Sequence, residues 1–283
     1  MKKIVIGLTA AVMAVAPAHA VTLYGVDEVN NLVRFDSRTP GVAQSSIAIT
    51  GIGGSSILGI DFRVRDGLLY ALADNNNVYT VNYITGAARL LTSVALTGTN
   101  FAFDFNPTNT NLRIVGNDNS NYVLRFNPAP LALVPGVNVA YAAGTVGVGD
   151  PDIVSAAYLN NDNNAATGTV LYVLDSANDV LATQNAATGV LTRVGSLGID
   201  IGARTSFDIT GTANNPFVQA GNTLYSINLS TGALTAIGGT DRTLFALSAA
   251  VPEPATWAMM MIGFAGIGAA ARSGRSRRKT VTA

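Results

Sequence analysis

The stretch Val78-Tyr79-Thr80-Val81-Asn82-Tyr83-Ile84-Thr85-Gly86 decides the fold, because it returns as Leu224-Tyr225-Ser226-Ile227-Asn228-Leu229-Ser230-Thr231-Gly232. Both are alternating strands that end in N-x-x-T-G. Val180-Leu181-Ala182-Thr183-Gln184-Asn185-Ala186-Ala187-Thr188-Gly189 repeats the pattern. Leu32-Val33-Arg34-Phe35-Asp36-Ser37-Arg38-Thr39-Pro40-Gly41 is a looser copy, and Val123-Leu124-Arg125-Phe126-Asn127-Pro128 a degenerate one, making five units. Asn or Asp opens such a turn by bonding its own backbone and Gly supplies the positive φ, so the motif reads as hairpin chemistry and not as a binding box.

Each copy has the same neighbours. A short strand precedes it (Leu68 to Leu72, Leu112 to Val115, Val170 to Leu174), and another precedes that (Ile57 to Phe62, Phe101 to Phe105, Ser206 to Thr210). A fourth follows the turn, as in Ala88 to Val94, Val190 to Leu197 and Ala233 to Ile237. Four strands per unit at a spacing of roughly 45 to 55 residues predict the blades of a propeller. The first unit starts at Leu23-Tyr24-Gly25-Val26 without an innermost strand, and Thr243 to Ser248 is a spare strand after the fifth. The expectation is an all-β, five-bladed β-propeller over residues 21–250, closed by the C-terminal strand; a β-solenoid or sandwich is the competing architecture. Asn127-Pro128-Ala129-Pro130 departs from the T-G turn and leaves the outer hairpin of the third blade in doubt.

The two ends carry an address. Met1-Lys2-Lys3, the apolar run Ile4 to Ala16 and Ala18-His19-Ala20 read as a signal peptide over residues 1–20, cut after Ala20 with Ala18 and Ala20 as its small-residue site. At the other end, the seventeen apolar or small residues 255–271 would rise roughly 25 Å as a helix, a minimal span of a hydrocarbon core of about 30 Å. Arg272, Arg275, Arg277, Arg278 and Lys279 follow immediately, a stop-transfer cluster that predicts a cytoplasmic tail and a domain on the periplasmic side.

Pro252-Glu253-Pro254, then Trp257-Ala258, the apolar run and the terminal arginines resemble the PEP-CTERM sorting tail over residues 251–283, in its PEP-x-x-W-A variant. The resemblance implies an exosortase-type membrane protease as partner, cleavage near the tripeptide, and the family's usual setting in Gram-negative bacteria that make exopolysaccharide. The Leu-Tyr-Gly and Leu-Tyr-Ala-Leu strands with T-G turns resemble a bacterial domain-of-unknown-function family with propeller-type repeats. That family brings no catalytic residue to carry over.

Composition narrows the chemistry. Residues 21–250 hold ten arginines and no lysine against sixteen acidic residues, a net charge of −6, which disfavours nucleic acid as a partner. The chain has no cysteine, and its one histidine, His19, lies in the signal peptide. Ser-His-Asp, Cys-His, zinc-histidine and Schiff-base mechanisms therefore lack their residues. No catalytic residue and no cofactor is expected.

Two sets of carboxylates are weighed. Asp61, Asp104 and Asp208 occupy equivalent places in the innermost strands, and serve either as a carboxylate ring for a cation or polyol, or as acceptors for backbone N–H groups that hold blades together. The fourth copy, Val154-Ser155-Ala156-Ala157-Tyr158, has no Asp. Asn117 to Asn121, Asp150-Pro151-Asp152 and Asn160 to Asn164 offer hard oxygen donors suited to Ca²⁺, but read better as turns. Tyr24, Tyr70, Tyr79, Tyr122, Tyr172 and Tyr225 read as inter-blade packing before a sugar platform. The favoured function is an exported, exosortase-processed structural or interaction protein of the cell surface or extracellular matrix. The alternatives are a carbohydrate- or calcium-binding propeller and, behind it, a metal-dependent hydrolase or lyase.

Overall fold

The computed structural model describes residues 20–250 except 127, 128, 163 and 212. Ala18 of the expected signal peptide, the motif Pro252, Glu253, Pro254 and Trp257, the expected span 255–271 and the basic cluster lie outside the described residues, and Ala20 is the first within them. No helix among the described residues is long and apolar enough to cross a membrane.

The first blade holds β1 (Thr22–Asp27), β2 (Asn31–Asp36) and β3 (Ala43–Ala48). The second is β4 (Ile57–Phe62), β5 (Leu69–Ala73), β6 (Asn77–Val81) and β7 (Ala88–Ser93). The third is β8 (Phe101–Phe105), β9 (Leu112–Gly116), β10 (Asn121–Arg125) and β11 (Ala132–Pro135). After β12 (Ala140–Tyr141) comes the fourth, β13 (Ile153–Tyr158), β14 (Leu171–Asp175), β15 (Val180–Gln184) and β16 (Val190–Ser196). The fifth is β17 (Ser206–Ile209), β18 (Pro216–Ala220), β19 (Thr223–Ile227) and β20 (Leu234–Gly239).

The last strand, β21 (Leu244–Ala249), pairs antiparallel with β1, Leu23 opposite Ala249, and becomes the inner strand of the first blade. The ring thus closes as the strand count predicts. Ala250 N donates to Thr22 O at 2.9 Å, so the two ends of the domain leave side by side. The inner strands touch in the order β21, β4, β8, β13, β17 and back to β21. Because neighbours cover both faces of an inner strand, β4, β8, β13 and β21 are buried almost throughout and read as continuous apolar runs. Outer strands such as β3 and β20 are largely exposed.

Five apolar clusters fill the five interfaces between blades. Between the second and third, Tyr70 meets Phe105 edge-on at 4.8 Å and Phe126 at 5.5 Å. Between the first and second, Tyr24 meets Phe62 at 5.3 Å and Tyr83 at 5.8 Å. All six tyrosines singled out by the sequence fall in these interfaces.

The T-G turn has a second role beyond closing its hairpin. Asn82 Oδ1 accepts from Ile84 N at 2.9 Å and Thr85 N at 3.0 Å, and Asn185 and Asn228 organise their turns in the same way. Gly86, Gly189 and Gly232 have φ of 76°, 71° and 81°. A Cβ on any of them would also collide with backbone arriving from the preceding blade: Ala48 O at Gly86, Asn138 O at Gly189 and Gly195 O at Gly232. That incoming backbone pairs there. Thr50 exchanges hydrogen bonds with Gly86 and Ala88, and Leu234 N donates to Leu197 O. The largest instance is β12, which adds to the outer edge of the fourth blade parallel to β16, a fifth strand the sequence reading does not include. The third blade does form its outer hairpin, β10 with β11, Tyr122 opposite Pro135, despite the departure at residues 127–130.

Candidate functional site

The polar residues of the inner strands meet at the axis and form a nearly complete ring of latches. Asp61 Oδ2 accepts from Phe105 N at 2.8 Å, and Asp104 Oδ2 from Tyr158 N at 2.8 Å. Asp208 Oδ2 accepts from Ala249 N at 2.5 Å. Ser248 Oγ accepts from Phe62 N at 3.2 Å and donates to Asp61 Oδ1 at 3.0 Å. Each acceptor reaches the main chain of the next inner strand, so four of the five junctions are bolted by the same bond. The missing one is at Ala157, which occupies the corresponding place on β13 and has no acceptor to offer. Ile209 N bonds instead to its own neighbour, Asp208 Oδ1, at 2.6 Å, and Ser155 Oγ, two residues earlier, accepts from Phe207 N at 2.9 Å.

Asp61, Asp104 and Asp208 are buried, and each turns an oxygen to within 4.8 Å of the others. Among the described residues this is the one place where three carboxylates gather, and none of the three forms an ion pair. Charge in that setting is penalised by burial and by its like neighbours. Burial pushes the Asp61 carboxyl up to about 7, although hydrogen bonds from Phe105 N and Ser248 oppose the shift. Burial raises Asp104 and Asp208 well above the usual carboxylate range, and the Asp61 charge adds to both. Asp61 and Asp104 lie within hydrogen-bonding reach of each other, so the pair is suited to sharing a proton. An all-oxygen set of this spacing could also surround one hard cation with bonds of about 2.4 Å. The blade-holding reading of the three Asp residues is the one their bonds express.

The loop carboxylates do not gather in threes among the described residues, although Asn119 Nδ2 donates to Asp150 Oδ1 at 2.9 Å and joins two of the loops. Asp118 Oδ1 accepts from Ser120 N and Oγ, and Asn117 Oδ1 from Thr99 N and Asn100 N. Asn160 and Asn214 bond each other across the fourth and fifth blades, at 2.8 and 2.7 Å. Asp162 Oδ1 accepts from Asn164 N and Thr167 Oγ, which shapes the turn ahead of the short 3₁₀ segment Ala165–Thr167. These oxygens organise turns.

The sequence reading finds three members of the axial ring and misses the fourth. Ser248 sits on the spare strand, and laying Leu244–Ala249 beside Ile57–Phe62 would have placed it opposite Asp61.

Residues 31–248, which span nearly all of the propeller, match the domain of unknown function DUF4394. The chain belongs to the DUF4394 family. Its continuation, residues 250–278, matches the PEP-CTERM protein-sorting motif, a signal recognised by exosortase, a membrane protease. This DUF4394 protein is therefore an exported one, processed at the membrane. No curated protein matches the chain.

Proposed function

We propose that this DUF4394 protein is a structural or interaction module of the cell surface or extracellular matrix, without catalytic activity. It is delivered by its signal peptide, held at the inner membrane with the propeller on the periplasmic side, and cut or transferred by exosortase near Pro252-Glu253-Pro254. The observation that carries this reading is the join itself: the closing strand ends at Ala249 and the sorting motif begins at residue 250. Nothing of the propeller is lost when the tail is removed. The axial carboxylates support the non-catalytic part, because each already accepts a main-chain N–H from the neighbouring inner strand.

The test is the intact mass of the protein recovered from cells. Expected are loss of residues 1–20 and a new C-terminus near Pro254, with Pro252→Ala and Pro254→Ala leaving a membrane-bound precursor. A full-length tail on wild-type protein, or normal processing of the variants, would overturn the reading.

A further inference from the structure

The axial latches lie toward the C-terminal ends of the inner strands, and at the opposite end the axis opens into a cavity of about 170 Å³. All five inner strands, or the segments leading into them, contribute to its wall. Three of these strands are bulged at that end. Ile57 stands opposite Ala73 but Gly59 opposite Leu72, Ile153 opposite Asp175 but Ser155 opposite Leu174, and Phe245 opposite Val26 but Leu247 opposite Gly25. The extra residues, Leu58, Val154 and Ala246, all line the cavity. Ala246 has φ of 63°, and among the described residues it is the one non-glycine residue inside a strand with positive φ. Phe245 and Ala246 consequently pack on one side of β21, and Leu244 and Leu247 on the other. Bulges re-aim side chains at a rim, and backbone strain of this kind gathers at ligand sites.

The rim of this cavity carries one cation. Arg204, exposed just ahead of β17, lies over the Phe245 ring with its guanidinium carbon 4.4 Å from the ring centre, and both residues line the cavity. Among the described residues Arg204 forms no ion pair and no hydrogen bond, so its N–H donors face solvent. The Asn100 side chain donates to Ala203 O and ties the segment ahead of β8 to the one that carries Arg204. Asn117 Oδ1 fixes that first segment in turn, accepting from Thr99 N at 2.9 Å and Asn100 N at 3.2 Å. The guanidinium therefore stands on a fastened rim, backed by an aromatic face, with no carboxylate of its own.

We propose that the axial mouth binds a small aromatic carboxylate, with its ring seated among Leu58, Ile60, Phe103 and Leu247 and its carboxylate paired with Arg204. A planar guanidinium meets a carboxylate through two parallel bonds, and stacking on Phe245 sets the plane in which it does so. A cavity of about 150 Å³ lined by Leu, Ile and Phe takes up benzene, so the volume here suits one ring and little more. A neutral ring would leave the guanidinium unpaired, and a bare anion would leave the apolar wall uncovered. β21 runs from the mouth, at Phe245, to the start of the sorting tail, so the cavity opens at the end of the propeller turned away from that tail. The inference rests on the interaction reading, to which it adds a ligand class, and it is independent of the route of export.

Calorimetric titration and thermal melts of the purified, processed protein test it, with benzoate, 4-hydroxybenzoate and phenylacetate as probes. Benzyl alcohol, a ring without the charge, and acetate, the charge without a ring, are the controls. At least one probe is expected to raise the melting temperature and to bind at least about tenfold tighter than either control. Arg204→Gln is expected to bring that probe down to the level of benzyl alcohol, and to fold as wild type does because the side chain is exposed. Arg125→Gln removes an equally exposed charge from β10, away from the axis, and is expected to leave binding unchanged. No response to any of the three acids, equal binding of benzyl alcohol, full binding by Arg204→Gln, or an equal loss in Arg125→Gln would each overturn the proposal. Intact mass reports export and processing separately, so a failure of binding cannot be mistaken for a failure of delivery.

Discussion

The hydroxyl of Ser248 donates to Asp61 Oδ1 at 3.0 Å, joining two residues 187 positions apart across the junction of the first and second blades. Ser248 Oγ also accepts from Phe62 N, so one small side chain closes the axial ring chemically as β21 closes it topologically. Ser248→Ala removes both bonds and leaves Phe62 N unpaired in the interior. A loss of about 1–3 kcal/mol is expected. Urea unfolding of the purified protein measures it, and an unchanged midpoint would show that the bond does not hold the ring.

Titration of the carboxylate cluster gives the axis a pH signature. Asp61 is pushed up to about 7 by burial, so the folded state binds a proton that the unfolded state releases at the ordinary carboxylate value near 3.8. Its contribution to stability is therefore complete below that lower value and is lost as pH rises through 7. Asp104 and Asp208, shifted in the same direction, reinforce it. Asp27 works the other way in acid: against burial, which raises its carboxyl, hydrogen bonds from Asn31, Val29 and Arg242 together hold it low. Thermal melts should fall in temperature between pH 5 and pH 8. Asp61→Asn keeps an oxygen for Phe105 N and should flatten that fall; an equally steep decline in the variant would remove Asp61 from the account.

Glycine at the T-G turn answers two demands at once, positive φ and the close approach of the preceding blade. Gly86→Ala and Gly232→Ala should each destabilise by more than about 1 kcal/mol, beyond the effect of φ strain alone. Gly67→Ala is the control: it has φ of 69° but nothing within 4 Å of a Cβ. Chemical unfolding should rank Gly86→Ala well below Gly67→Ala.

Phe105 is the aromatic hub of the interface between the second and third blades, in edge contact with Tyr70, Phe103 and Phe126 and near the Arg63 guanidinium. It is 1 % exposed. Phe105→Ala should cost about 3–5 kcal/mol in equilibrium unfolding. A cost under about 1 kcal/mol would mean that the interface repacks freely.

What could be read in advance follows from the range of the interactions concerned. The hairpin turns are local: Asn82, Asn185 and Asn228 bond residues two or three positions on, so the five units and their outer strands are visible in the chain. Closure is visible too, because a half blade at Leu23 and a spare strand ending near Ser248 have one economical arrangement. The parallel addition of β12 is not, since Ala140–Tyr141 is too short to carry a period. The axial latches are half-legible: Asp61, Asp104 and Asp208 stand out in apolar strands, whereas Ser248 gains meaning only once β21 is laid in register.

The pairing of Leu23 with Ala249 also imposes an order of assembly. Until the final strand has been made and carried across the membrane, the first blade has no inner strand and the second has no neighbour for β4 on that side. Contacts of such long sequence separation form slowly. The propeller cannot complete its circle until the whole domain has emerged, with only the sorting tail left to follow.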